Sequence, residues 1–382
     1  MPADLTSTEP VPPPTGWPAD LGATDDGRAS VAVLASLRGI SPRTLHRLIW
    51  QEGGAEAALH AIRTGRAGSD ADRAWASKTE GATVLADVTR AGARLVTPHD
   101  HEFPPGLLQL DDPPAALFVR GERLDRSELR VAIVGSRRCS SLGREIAEGL
   151  GRHLGKVGAC VVSGAAYGID AASHRGALEA GGRTIAVLGS GIDVAYPRSS
   201  ADIIARIAEV GSLVSEYPPG VPAEPHRFPA RNRIVVGLAS ALVVVEGAHG
   251  SGSRISVDHA LDLGKEIFAI PGPVTSPLAE VPLELIREGA TMIRGAADLV
   301  ADLGYTFEVV AAEPPPDLPE DEDRAWRALV EASLPETVAR AAGLSIPDAV
   351  GALVRLELRG LVRSVGGRYE RRPTEAVGAP GV

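Results

Sequence analysis

The 382-residue chain contains only two cysteines, Cys139 and Cys160, and they form no C-x-x-C pair and match no zinc-ligand spacing. They read as small core or turn residues, so neither a disulfide scaffold nor a metal site is expected. No apolar run approaches the roughly 18 residues of a membrane span, and the first residues are acidic and proline-rich instead of basic and then apolar. A membrane partner and a secretion signal are therefore not expected, and the location reads as cytoplasmic. A dinucleotide fingerprint is missing too. The glycine turn at 135 lacks the second and third glycines of G-x-G-x-x-G, and Ser163 stands where a ribose-binding acid would be wanted, which points away from NAD and leaves no cofactor expected. Aromatics make up 4% of the chain. The net charge of −10 does not exclude a polyanion partner, because residues 1–30 and 308–323 contribute −4 and −7 of it. Exposed charges farther apart than about 10 Å are largely screened, so a local basic groove survives an acidic total.

What is present centres on residues 131–174. Val131-Ala-Ile-Val134 runs into Gly135-Ser136-Arg137-Arg138, and Cys160-Val-Val162 runs into Ser163-Gly164, with Gly168, Asp170 and His174 beyond. Short apolar runs ending in glycine read as strands buried on both faces. Leu142, Ile146, Leu150 and Leu154 then recur at the four-residue spacing of a packed helix. Strand, turn and helix, twice over, predict an open parallel sheet with its ligand crevice at the carboxyl ends of the strands, where helix amides favour anionic oxygens. The two turns form a candidate phosphate cradle. Arg137 and Arg138 lie in a window, 130–144, with four arginines and no acid.

Along the chain, residues 1–27 read as a disordered tail. Residues 28–92 read as a small helical module of the SAM or helix-hairpin-helix kind: two short helices around Pro42, and one further helix over 70–92. Only Arg38, Arg43 and Arg47 could touch phosphate there, so a packing role is favoured over DNA contact. From 93 to 304 strands and helices alternate, with strands at 131–134, 159–162, 184–188, 213–215, 241–245 and 267–270. Residues 305–320 are an acidic, proline-rich linker by composition. Residues 321–372 carry three helical patterns, with Val350, Leu353 and Leu356 as the core of the third, and a Gly-Gly hairpin, which together suggest a winged helix; 373–382 is a tail. The third helix exposes Asp348, Arg355 and Glu357, which suits a protein contact better than a DNA groove. The fold class expected is α/β: an extended Rossmann-like, doubly wound, mostly parallel sheet between a helical module and a winged helix.

A second basic stretch is His226-Arg227-Phe228-Pro229-Ala230-Arg231-Asn232-Arg233. Pro229 fits a first helical position, which would put Arg231 and Arg233 in the first turn, where the helix dipole disfavours cations. A bound polyanion is the preferred reason; ion pairs to acids such as Glu216 or Glu224 are the other. Phe228 either stacks a nucleobase or serves as a buried staple beneath the helix. Asp170 and His174 read as a helix N-terminal acid and a packing residue sooner than as a catalytic pair. Ser251-Gly252-Ser253 is a third Ser/Gly turn at a strand-to-helix junction.

Taken in order, the motifs at 131–137, 162–174, 184–197 (Thr-Ile-Ala-Val-Leu-Gly-x-Gly-Ile-Asp-Val-x-Tyr-Pro), 215–220 (Ser-Glu-Tyr-Pro-Pro-Gly), 228–233, 244–246 (Val-Val-Glu), 251–253 and 269–273 closely resemble the bacterial DNA-processing protein A (DprA/Smf) family across roughly residues 93–304. The resemblance implies a cytoplasmic, non-enzymatic binder of single-stranded DNA that forms homodimers and loads the RecA recombinase during natural transformation. It would place DNA contacts on Gly135, Ser136, Arg137, Ser163, Gly164, Gly168, Phe228, Arg231, Asn232 and Arg233. The reading of the turns adds Arg138, Ser251, Gly252 and Ser253; no catalytic or metal residue is implied. Two other classes stand beside it. One is a nucleotide phosphoribohydrolase of the lysine-decarboxylase-like family, whose Pro-Gly-Gly-x-Gly-Thr-x-x-Glu run is missing here. The other is a winged-helix regulator that senses a nucleotide.

Overall fold

Small polar caps set three of the five helix starts among the described residues of the first ninety. A computed structural model of the chain describes residues 21–126, 128–304, 318–329, 333–365 and 367–371. Thr24 caps α1 (Asp25–Ala35), accepting from the Gly27 amide at 3.0 Å, and Ser41 caps α2 (Pro42–Glu52) with Pro42 at its start. The helices α3 (Ala55–Arg63), α4 (Asp70–Lys78) and α5 (Gly81–Arg90) follow, and Ser69 and Asp72 close a capping box on α4. Two expectations are corrected here. The tail expected to reach residue 27 overlaps α1, because Thr24 caps it and Leu21 is buried; residues 1–20 lie outside the described residues. The single helix expected over 70–92 is two, because Thr79 and Glu80 adopt extended backbone between them.

The sheet has nine strands: β1 (Ala93–Val96), β2 (Leu117–Gly121), β3 (Arg130–Val134), β4 (Cys160–Ser163), β5 (Thr184–Leu188), β6 (Ser212–Ser215), β7 (Ala241–Val244), β8 (Glu266–Ala269) and β9 (Thr291–Met292). They lie in the order β1-β2-β6-β5-β4-β3-β7-β8-β9. β1, β2 and β6 pair antiparallel, and every pair from β6 to β9 is parallel. Connecting helices are α6 (Ser141–Lys156), α7 (Ile169–Glu179), α8 (Ala201–Val210), α9 (Arg227–Gly237), α10 (Gly252–Asp262), α11 (Glu280–Arg287) and α12 (Ala296–Asp302). The strand order reverses between β3 and β7, which fixes the topological switch point and hence the crevice.

Both sheet faces are covered, as the unbroken apolar strands require. Ala186 and Leu188 of β5 face a cluster with Phe118 and Leu213, while Ile185 and Val187 face a second with Val134, Ile234 and Leu242. The first cluster runs on without a break into Val31, Leu34, Leu45, Ile49 and Ile62, so the helical module shares its core with the sheet. On α6 the buried face is Gly143, Ala147, Leu150, Gly151 and Leu154; Ile146 is half-buried and Leu142, expected to pack, is exposed. The helix packs through small residues, which turns its first leucine outward.

The C-terminal unit has α13 (Glu320–Ala328), α14 (Pro335–Ala342), α15 (Ile346–Leu358) and the hairpin β10 (Val362–Val365) and β11 (Arg368–Arg371) around Trp326, Val338, Leu353, Leu356 and Val362. This is a winged helix. Leu318 already packs on its core and Glu320 begins α13, so the unit starts before residue 321; the rest of the expected linker, 305–317, and the 373–382 tail lie outside the described residues. Arg355 is spent on ion pairs to Asp321 and Glu322, and Glu357 accepts from the Ser364 amide. Val350, expected in the core, is exposed with Ile346, Val354 and Leu358 on the outer face of α15. Among the described residues no single helix is long and apolar enough to cross a membrane.

Candidate nucleic-acid interface

Three turns meet at the switch point. The turn after β3 brings Gly135, Ser136, Arg137 and Arg138; the turn after β4 and the start of α7 bring Gly164, Ala166 and Asp170; the cap and first residues of α10 bring Ser251, Gly252 and Ser253. With Pro229, Arg231 and Asn232 of α9 they line one cleft of about 530 Å³. Arg137 and Arg231, 94 residues apart in sequence, therefore share a groove.

Close approach of backbones builds this floor. Gly168 has φ +78°, and a Cβ there would lie 2.2 Å from the Ser136 carbonyl, so the first two turns can touch only at glycine. A Cβ at Gly164 would lie 2.0 Å from the Arg231 guanidinium, whose Nη1 donates to the Gly164 and Val187 carbonyls. Arg231 is almost wholly buried, with Asp170 4.0 Å away. Burial pulls its pKa down to about 10 and pushes the Asp170 carboxyl up, with each group partly offsetting the other's shift. A phosphate entering the cleft would add to the partial compensation that Asp170 gives this guanidinium.

The lip is aromatic and cationic. Arg137, exposed, sits 5.3 Å from the Phe228 ring centroid, and Phe228 is tilted against exposed Tyr196 with centroids 5.1 Å apart. Phe228 is half-buried, open on part of its face. Stacked aromatics beside a phosphate groove are the usual equipment for single strands.

Several expected residues fall elsewhere. α9 begins at Arg227, where the Arg227 amide donates to the Glu224 carbonyl at 3.0 Å, so Pro229 is its third residue and neither Arg231 nor Arg233 is in the first turn. Arg233 is only 1% exposed, donates to Glu216 at 2.7 Å and to Asp112 at 3.0 Å, and is not among the residues lining the cleft. Burial works against its charge, but Glu216 and Asp112 more than offset this and raise its pKa. The ion-pair reading holds for Arg233, and its expected place in the DNA site is corrected. Ser163 is fully buried and donates to the Ile133 carbonyl at 2.6 Å, a strand-to-strand tie beneath the cleft. His174 is also fully buried, its Nδ1 2.6 Å from Thr184 Oγ1, and burial, then the Arg231 charge, lowers its pKa to about 3.

Two participants were not read from the sequence. Glu246, at the end of β7, accepts from the Ser140 amide at 2.9 Å and from Ser140 Oγ at 2.5 Å. The start of α6, expected to offer free amides, is thus partly occupied by a carboxylate, and the Ser140 hydroxyl takes the Gly143 amide. Tyr196 is the other. Both stand in quoted motifs, Val-Val-Glu and the Tyr-Pro end of 184–197, so the signal was present without its partner. For metals, exposed His249, Glu280 and Glu284 bring ligand atoms within 4.8 Å of one another, though Glu280 already accepts from the His249 amide at 3.0 Å.

The chain thus combines a doubly wound α/β sheet, whose switch-point crevice is basic and aromatic-lipped, with a winged helix. Residues 94–304 match the DNA recombination-mediator protein A family and residues 297–368 match the DprA winged helix domain. The chain belongs to the DNA-processing protein A (DprA/Smf) family. It is 36% identical over 331 residues to a putative DNA processing protein DprA of Mycobacterium tuberculosis, covering 81% of this chain and 85% of that one. It is 38% identical over 290 residues to protein Smf of Escherichia coli, covering 72% and 76%. The solved structure of DprA from Streptococcus pneumoniae superposes with a TM-score of 0.62 at 30% identity, over 75% of this chain and 99% of that one. DNA processing protein A of Helicobacter pylori, whose structure describes a single-stranded DNA binding mode, superposes with a TM-score of 0.50 at 30% identity, over 56% and 97%.

Proposed function

We propose that this recombination-mediator family member binds single-stranded DNA in the switch-point cleft, without catalysis, and as a cytoplasmic homodimer hands the strand to RecA during uptake of incoming DNA. The observation that carries the reading is Arg137, exposed and poised over Phe228 at the lip of a cleft walled by Ser/Gly turns and Arg231. Phosphates would lie against Arg137, Arg138 and the turns at Ser136 and Ser251, while Phe228 and Tyr196 offer a stacking face to a base. Such contacts reach the backbone and the π-face of any base, so binding should be nearly independent of sequence. A duplex hides its base faces and loses the stacking half of the site. The binding by H. pylori DprA of single-stranded DNA supports the same assignment.

The test is a titration of the full chain with oligothymidine, a duplex of equal length and a mononucleotide, repeated across salt. Tightest binding to the single strand is expected, with a log–log salt slope of roughly −0.7 per phosphate neutralised. Preference for the duplex would favour the regulator class, and turnover of the mononucleotide would favour the phosphoribohydrolase class. A stoichiometric effect on RecA filament formation over the same strand tests the handover.

A further inference from the structure

The helix α9 has two working faces. Pro229, Arg231 and Asn232 face the cleft, while Arg227, Ala230 and Arg233 line a second, more enclosed cavity of about 230 Å³ against the start of α2. Arg38, Ser41 and Arg43 supply the opposite wall.

This cavity is built for an anion. Four arginines line it, Arg38, Arg43, Arg227 and Arg233, against one acid, Glu216. The first turn of α2 contains no acid; Ser41 takes the Thr44 amide and Pro42 carries none, which leaves the Arg43 amide at this positive dipole end. Three of the arginines are committed to carboxylates: Arg43 pairs with Asp112, Arg233 with Asp112 and Glu216, and Arg227 with Glu224 at 3.3 Å, while Arg227 also lies 4.6 Å over the Tyr217 ring and donates to the Pro222 carbonyl. Arg38 is exposed and makes no ion pair among the described residues. The decisive atom is Arg233 Nη1. Arg233 is 1% exposed, Glu216 and Asp112 take its Nη2 and Nε, and Nη1 has no hydrogen-bond partner among the described residues. A buried guanidinium nitrogen left unmatched beside a cationic cavity calls for an acceptor with several oxygens.

We propose that this cavity is a second anion site, which takes a phosphate monoester. Its volume is below the roughly 300–1,000 Å³ of pockets that hold drug-sized ligands, so it admits a phosphate with its sugar and no chain of nucleotides. A monoester supplies the dianion and the three free oxygens that Arg233 Nη1, Arg38 and the Arg43 amide at the start of α2 can share, whereas an internal phosphodiester supplies a single charge. The monoester is borne either by the 5′ end of a strand or by a free nucleotide. The site does not depend on strand binding in the cleft, although α9 walls both.

The experiment titrates the full chain with inorganic phosphate and with dTMP by calorimetry, using wild type, Arg38→Glu and Arg137→Ala. Arg38 is exposed, so its variant folds; Arg137 belongs to the cleft and reports on binding there. Beyond any phosphate held in the cleft, one per chain is expected that persists in Arg137→Ala and is weakened at least about tenfold in Arg38→Glu, the worth of one charge-assisted hydrogen bond. Absence of saturable binding in the millimolar range overturns the proposal, as does loss in Arg137→Ala with Arg38→Glu unaffected, which would put the anion in the cleft. A second pair of titrations separates the sources. Tighter binding of 5′-phosphorylated than of 5′-hydroxyl oligothymidine, abolished by Arg38→Glu, assigns the site to a strand end; dTMP binding without that preference assigns it to a free nucleotide.

Discussion

Arg137 and Arg233 belong to the same set of expected DNA contacts, and replacing each by alanine should separate them completely. Arg233 is held by Glu216 at 2.7 Å and Asp112 at 3.0 Å with 1% of its surface exposed. Its removal leaves Asp112 with Arg43 as a counter-charge, but strands the buried Glu216 carboxylate. Breaking one side of a buried ion pair costs about 3–5 kcal/mol, because the remaining charge stays desolvated. Against a typical total of about 5–15 kcal/mol, Arg233→Ala should shift the urea midpoint far down, and adding Glu216→Gln should recover part of the loss. Arg137→Ala, at an exposed position, should leave the midpoint in place. It should instead weaken oligothymidine binding and flatten the salt slope by about 0.7, one phosphate's share. Circular dichroism in urea and fluorescence anisotropy across salt read the two quantities on the same samples. An unshifted midpoint for Arg233→Ala, or affinity for 5′-hydroxyl oligothymidine lost in that variant at full stability, would refute the division between an arginine that holds the fold and one that faces the cleft.

Acid should weaken the fold through His174. Its pKa is about 3 in the folded chain against roughly 6.5 unfolded, so between those values the unfolded chain holds the extra proton. Stability therefore falls as pH drops through this window, by at most about 1.4 kcal/mol per unit, and is flat above it. In His174→Gln that slope should vanish from urea midpoints taken between about pH 7 and 5; coincident slopes would show that His174 is not held neutral. Removing residues 305–382 should leave oligothymidine affinity and the dimeric state unchanged, since every cleft residue precedes Gly304. A large fall in affinity with folding intact, read by anisotropy and native mass, would make the winged helix a DNA-binding domain.

The chain's local chemistry determined a good deal by itself. The strand over 184–188 is read to the residue, and the helix start at Pro42, the glycine turns and the hairpin near Gly367 are legible, because each depends on sterics and side-chain period within a few positions. So was the crevice, since alternating strands and helices admit few topologies and the switch point follows from them. What the sequence could not decide is which charges meet. Arg231 and Arg233 differ by two positions on α9, yet one faces the cleft beside Gly164 and the other is locked to Glu216 and Asp112. That outcome rests on where α9 begins, and on Asp112 lying 121 residues away. Glu246 reaches Ser140 across 106 residues, and Tyr196 reaches Phe228 from another loop. Pairing between groups so far apart along the chain leaves no periodic trace, and a guanidinium looks the same in sequence whether its partner is a carboxylate or a phosphate. Only the packing of α2, α9 and the sheet edge assigns each arginine to one or the other.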